Sequence, residues 1–167
     1  MVNHLHNGVE AALFAAEHPL TLDQLVGLFA ETDRPDRTAL RRVLEELQKF
    51  YQHRGIELVE VASGYRFQVR ADYAQLVGGL WEERPSRYSR ALLETLALIA
   101  YRQPITRGEI EEVRGVAVST TIMKTLLERG WVRVIGHRDL PGRPGLYATT
   151  RSFLDYFNLS SLEALPP

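Results

Sequence analysis

Cysteine is absent from the 167 residues, which excludes disulfides, thiolate zinc sites and cysteine nucleophiles. Lysine is nearly absent. Lys49 and Lys124 are the only two, so arginine carries almost all positive charge, a bias from which no function follows. No run reaches the roughly 18 uncharged apolar residues of a membrane span. Met1-Val2-Asn3-His4 has no basic n-region and no signal-peptide core, so a cytoplasmic location is expected. The net charge of −1 exerts no global pull toward nucleic acid. Residues 1–81 carry 8 basic and 11 acidic side chains and residues 82–167 carry 12 and 10, so neither half is a basic module. With 45% hydrophobic and 25% charged residues, the composition is that of an ordinary folded chain.

The same small pattern occurs twice. Pro19-Leu20-Thr21 with Gln24 and Leu25 returns as Pro104-Ile105-Thr106 with Glu109 and Ile110. Each copy follows an apolar helical stretch (Val9–Phe14 and Leu92–Tyr101). Thr21/Gln24 and Thr106/Glu109 have capping-box spacing, in which the hydroxyl and the residue three positions on satisfy each other's free amides. A further helix and two short strands follow each box. This order predicts two tandem winged helices, a mainly α fold with small antiparallel β-ribbons. We place an N-terminal domain at 1–81, a linker at 82–88 and a C-terminal domain at 89–167.

In the first copy a second helix is expected from Thr21 to about Ala30. Leu40, Val43, Leu44, Leu47, Phe50 and Tyr51 then recur at helical spacing, with Gly55 placed to stop that helix. Strands are expected at Ile56–Val61 and Tyr65–Arg70, where Tyr65, Phe67 and Val69 alternate with Arg66, Gln68 and Arg70. A short helix at Tyr73–Trp81 closes the unit, before the polar, Pro-broken stretch 82–87. In the second copy the Leu92–Tyr101 helix is apolar on nearly all faces and is expected to be covered on most sides. Helix Val118–Arg129, strands Trp131–Ile135 and Leu146–Thr150, a wing loop Gly136–Gly145 and a helix Ser152–Phe157 complete it.

Catalytic chemistry finds little here. Glu45-Glu46, Glu82-Glu83 and Glu111-Glu112 are adjacent pairs, which diverge by about 100° on a helix and read as solvated charge. His4 and His6 lie near the terminus, and His18, His53 and His137 are isolated, so no metal-ligand spacing appears. Gly142-Arg143-Pro144-Gly145 lacks the ending of a phosphate loop and reads as a structural turn. No catalytic residue, cofactor or metal is expected, and the chain reads as not an enzyme.

DNA binding is the main rival reading. A recognition helix needs polar and basic residues at its start, but the second copy offers Val116-Ala117-Val118-Ser119-Thr120-Thr121 and then only Lys124. In the first copy Arg34, Arg37, Arg41 and Arg42 are offset by Asp33, Asp36, Glu45 and Glu46. The wing has His137, Arg138 and Arg143 against Asp139. A neutral helix entered through Val113, Val116 and Val118 suits a protein contact better, although these valines could equally finish the core.

Two stretches carry a family resemblance. The first is Leu93-Glu94-Thr95-Leu96-Ala97-Leu98-Ile99-Ala100-Tyr101-Arg102-Gln103-Pro104-Ile105-Thr106-Arg107, with Glu109-Ile110-Glu111 and Arg114-Gly115-Val116. The second comprises Pro141-Gly142-Arg143-Pro144, Leu146-Tyr147, Thr149-Thr150, Phe153-Leu154, Phe157, Leu159, Ser161-Leu162 and Leu165-Pro166. Together they resemble the bacterial segregation and condensation protein B (ScpB) family, densely in the C-terminal half and more loosely in the N-terminal half.

The resemblance implies a non-enzymatic, cytoplasmic and nucleoid-associated accessory subunit of the SMC–kleisin complex in chromosome condensation and segregation. Its expected partners are an ScpA-type kleisin, SMC through that kleisin, and a second copy paired through the N-terminal domains by residues still unassigned. DNA is expected to be touched only weakly or indirectly, and a membrane not at all. Kleisin contact is expected on a surface around Tyr101, Arg114, Val116 and Val118. Gly115 is expected to permit a tight turn, and Arg143-Pro144 to set the returning strand. Two positions depart from the family pattern: Ala117-Val118-Ser119 is unusually apolar, and Asn158 stands where glycine is common. Pro166-Pro167 is suited to end an ordered core.

Overall fold

A computed structural model describes residues 2–81 and 87–167, with side chains from residue 4 onward in the first helix. Two compact units divide the chain: Met1–Arg84 with Asn158–Ala164, and Pro85–Phe157 with Leu165–Pro167. Each is a winged helix, mainly α with one antiparallel two-stranded ribbon.

In the first unit, α1 (Val2–Ala15), α2 (Leu22–Gly27) and α3 (Arg37–Phe50) precede β1 (Ile56–Val61) and β2 (Gly64–Val69). Val9 and Leu13 of α1, Leu25 of α2 and Leu40, Val43, Leu44 and Leu47 of α3 form the core with Leu58 of β1. The spacing on α3 is the i, i+3, i+4, i+7 stripe read from the sequence. Helix α2 is shorter than expected. It ends at Gly27, and its last turn tightens through bonds from Leu28 N–H to Leu25 C=O and Phe29 N–H to Val26 C=O, followed by a 3₁₀ turn at Glu31–Asp33.

Gly55 does not stop α3. The helix ends at Phe50, capped by Tyr51, and Arg70 bonds carbonyls at and just after the cap. Its Nη2 donates to Tyr51 C=O and its Nε to Arg54 C=O, both at 2.8 Å. The last-turn carbonyls of Leu47 and Lys49 accept from the Tyr51 and Gln52 amides, and the Arg70 side chain fastens the segment that follows. The helix expected over Tyr73–Trp81 is a 3₁₀ turn, Ala71–Tyr73, running into α4 (Ala74–Gly78).

The second unit repeats the order with α5 (Arg90–Arg102), α6 (Arg107–Arg114), α7 (Thr120–Glu128), β3 (Val132–His137), β4 (Gly145–Thr149) and α8 (Arg151–Tyr156). Helix α5 is less enclosed than its composition suggested. Leu92, Thr95, Leu96, Ile99 and Ala100 are buried, whereas Leu93, Ala97 and Tyr101 are exposed. Buried Thr95 is satisfied by donating its hydroxyl to Ala91 C=O at 2.8 Å. Helix α7 starts at Thr120 rather than Val118, because Ser119 is its N-cap and accepts from Ile122 N–H at 3.1 Å. Strand β3 continues through an irregularity between Val134 and Gly136 to His137, which shortens the wing loop to Arg138–Pro144.

Both units carry the same stitch. Leu20, just before the Thr21 cap, exchanges backbone hydrogen bonds with Tyr65 of β2 (2.9 and 2.8 Å), and Ile105, just before Thr106, does so with Tyr147 of β4 (3.2 and 2.8 Å). The approach is close in the first unit. Gly64 has φ +128°, and a Cβ there would lie 2.2 Å from Leu20 O. No helix among the described residues is long and apolar enough to cross a membrane.

Candidate partner-binding surface

Both capping boxes close. Thr21 Oγ1 accepts from Gln24 N–H at 3.1 Å, and Gln24 Oε1 accepts from Thr21 N–H at 2.9 Å. Thr106 and Glu109 repeat this at 3.2 and 2.7 Å. Glu109 has a further partner, because its other carboxylate oxygen accepts from Arg138 Nη2 of the wing at 2.7 Å. The Thr106 amide and Arg138 together hold the Glu109 carboxyl below its ordinary value of 4.5.

The turn between α6 and α7 is held from behind. Gly115 adopts φ +72° as the left-handed end of α6, donating its N–H to Glu111 C=O at 2.8 Å. Two side chains of α6 then grip the backbone of Val118: Glu111 Oε1 accepts its N–H at 2.9 Å, and Arg107 Nη2 donates to its C=O. The Val118 amide, with Arg107, lowers the Glu111 carboxyl.

This clamp sorts the valines. Val118 is 0% exposed and belongs to the core, so its expected place on the partner surface is corrected. Val116, in the arch of the turn, is 55% exposed, and Val113 is exposed one turn back on α6. Arg114 is mostly covered, with 11% of its side chain exposed. Its Nη2 donates to Glu94 of α5 at 3.3 Å, while its Nε is buried with no hydrogen-bond partner. Glu94 also accepts from Arg90 at 2.7 Å, and both arginines hold its carboxyl below 4.5, Arg90 most strongly. Tyr101 lies two turns from Glu94 along the same side of α5 and is 55% exposed, its hydroxyl donating to Pro166 C=O at 2.5 Å.

Of the four expected contact residues, then, Tyr101 and Val116 are presented, Arg114 braces α6 against α5, and Val118 is internal. Val113, read from the sequence with Val116 as part of an apolar helix entry, is exposed, and Leu93 is an exposed apolar residue that the sequence reading did not place on a contact surface. Leu93 falls off the Leu92–Leu96–Ile99 stripe, which is the signal that marks it. In the wing, Gly142 (φ +82°) and Arg143 (φ +41°) form a tight turn closed by Arg143 N–H to Leu140 C=O at 2.8 Å, and Pro144 C=O accepts from Arg138 N–H at 2.9 Å. Both positions are architectural.

Three of the cationic groups named for a DNA-binding reading are paired with acids, among them Arg138 of the wing with Glu109. Lys124 lies 3.7 Å from Glu128, and Arg37 is paired with Asp23. Among the described residues no cluster of three His, Asp or Glu side chains could hold a metal ion.

The family described as "Segregation and condensation complex subunit ScpB" matches residues 7–167, a span that runs through both units. The chain belongs to the ScpB family. It is 60% identical over 159 residues to a segregation and condensation protein B homolog of Coxiella burnetii, covering 95% of this chain and 76% of that protein. Identity is 48% over 160 residues to segregation and condensation protein B of Syntrophotalea carbinolica, covering 95% and 79%. Among solved structures, a dimer of the ScpB N-terminal domain complexed with an ScpA peptide is 25% identical, with a TM-score of 0.43 over 48% of this chain and 98% of that one. Membership of the ScpB family places this chain among the subunits of the segregation and condensation complex.

Proposed function

We propose that this chain is a non-enzymatic, cytoplasmic adaptor of the segregation and condensation complex, binding an ScpA-type kleisin as a homodimer and reaching SMC through that kleisin. The observation that carries this reading is the family match over residues 7–167, which takes in both winged helices. Exposed apolar side chains support it in each unit. In the second, Leu93, Tyr101, Val113 and Val116 are exposed, with Val116 on the α6–α7 turn; in the first, Phe14, Leu76 and Leu80 are exposed, and self-association through this unit would cover apolar area of that kind.

The test is size-exclusion chromatography with light scattering, on the protein alone and mixed with the kleisin from the same source. The expected result is a dimer that shifts into a larger complex. A monomer, or a dimer that ignores the kleisin, overturns the reading. Steeply salt-dependent DNA affinity in that case would favour the transcription-regulator alternative.

A further inference from the structure

The first unit is discontinuous in sequence, because it takes in Asn158–Ala164. Helix α8 is capped by Phe157, and the next residue, Asn158, has φ +58°. A left-handed residue at this position is a common way to end a helix, and glycine meets the demand at no steric cost. Asparagine tolerates it and adds a side chain. Here that side chain is used: Asn158 Oδ1 accepts from Arg66 Nη2 at 2.7 Å. One residue on, Leu159 C=O accepts from Ala62 N–H at 3.0 Å, in the turn that joins β1 to β2.

Arg66 begins a polar row along the ribbon. Its Nε donates to Gln68 Oε1 at 3.4 Å, and Gln68 Nε2 donates to Glu57 Oε1 at 3.0 Å. Glu57 Oε2 accepts from Arg70 Nη1 at 2.9 Å, and Arg70 reaches the carbonyls at the end of α3. The alternation of Arg66 and Gln68 on β2 with Arg70 just beyond it, a solvated face by its pattern alone, is thus a connected strip with Asn158 at one end. A bond from a guanidinium to a neutral amide is charge-assisted and stronger than a neutral pair.

We propose that Asn158–Ala164 is a strap docked on the ribbon of the first unit, and that Asn158 is its latch. One side chain both permits the left-handed stop of α8 and fastens the strap to Arg66. When the latch is open, the Ala62 amide and the β1–β2 turn are uncovered together.

The substitution Asn158→Gly in the full chain separates the two roles, since glycine keeps the backbone turn and removes Oδ1. Amide hydrogen exchange resolved at single residues is the readout. In N158G the Ala62 amide should exchange at least about tenfold faster, reflecting a lower local opening free energy, while Phe157 N–H, bonded to Phe153 C=O at 3.1 Å, keeps its protection. Arg66→Ala should produce the same loss at Ala62, and the double variant should add little to either single change. Unchanged protection of Ala62 in N158G, or full additivity of the two substitutions, would overturn the latch. If R66A fails to fold, N158G decides alone.

Discussion

Glu109 joins Arg138 of the wing to the start of α6, using the carboxylate oxygen that its bond to the Thr106 amide leaves available. Among the described residues, the side chain of Gln24, the counterpart in the first unit, makes only the capping bond. The second unit has therefore added a wing anchor to a cap both units share.

Substituting Glu109 should separate those two contributions. Glu109→Gln keeps an acceptor for the Thr106 amide and loses the charge opposite Arg138, an exposed pair, so it should cost less than about 1 kcal/mol. Glu109→Ala removes both bonds and should cost about 1–2 kcal/mol. Urea unfolding of the two variants checks this, and equal losses would mean that the cap contributes nothing beyond the ion pair.

Three carboxylates of the second unit, Glu94, Glu109 and Glu111, are held below 4.5 by hydrogen bonds to their charged forms. A carboxylate with a depressed folded-state value contributes stability that is fully present above its unfolded value and lost as pH falls through the folded one. The second unit should therefore lose stability as pH drops below about 4.5. Fluorescence of buried Trp131 in a Trp81→Phe background would follow it, and replacing all three by glutamine should flatten that limb of the curve.

The two valines flanking Ala117 should respond oppositely to a charge. Val118→Asp places an uncompensated carboxylate in the core and should cost about 3–5 kcal/mol. Val116→Asp, on the exposed arch, should stay within about 0.5 kcal/mol of the parent. Thermal unfolding distinguishes them, and V116D is then the folded variant in which kleisin affinity can be compared with the parent.

Gly64 should tolerate no side chain. Its φ of +128°, and the mere 2.2 Å that would separate a Cβ from Leu20 O, combine backbone strain with a backbone clash. Gly64→Ala should cost roughly 3 kcal/mol or more. A small effect in denaturant titration would show that the Leu20–Tyr65 stitch gives way cheaply.

Much of this fold was legible because its signals are local. The Thr21 and Thr106 boxes lie within four residues, and the α3 stripe repeats over a single helix. Boundaries set by distant groups were not legible. Helix α3 ends at the Tyr51 cap short of Gly55, and Arg70, beyond both strands of the ribbon, fastens the segment after it. Val118 looked like an exposed helix entry because an apolar pattern ran across the Ser119 cap, and only the grip of Arg107 and Glu111 on its backbone shows which valine turns inward. The strap depends on Arg66 and Asn158, too far apart in sequence for any periodicity to connect them. On the candidate surface, residue types indicated a protein contact, but the separation of Val116 from Val118 required the geometry of one turn.

The stitches at Leu20–Tyr65 and Ile105–Tyr147 have a mechanical consequence. In each unit the residue that precedes the capped helix is bonded on both sides to the returning strand of the wing, so helix, turn and ribbon form a closed ring. A load pulled through a wing meets this pair of bonds at the ring's closure before it reaches the capped helix. For a subunit of a complex that handles chromosomes, this makes each wing a handle rather than a flap.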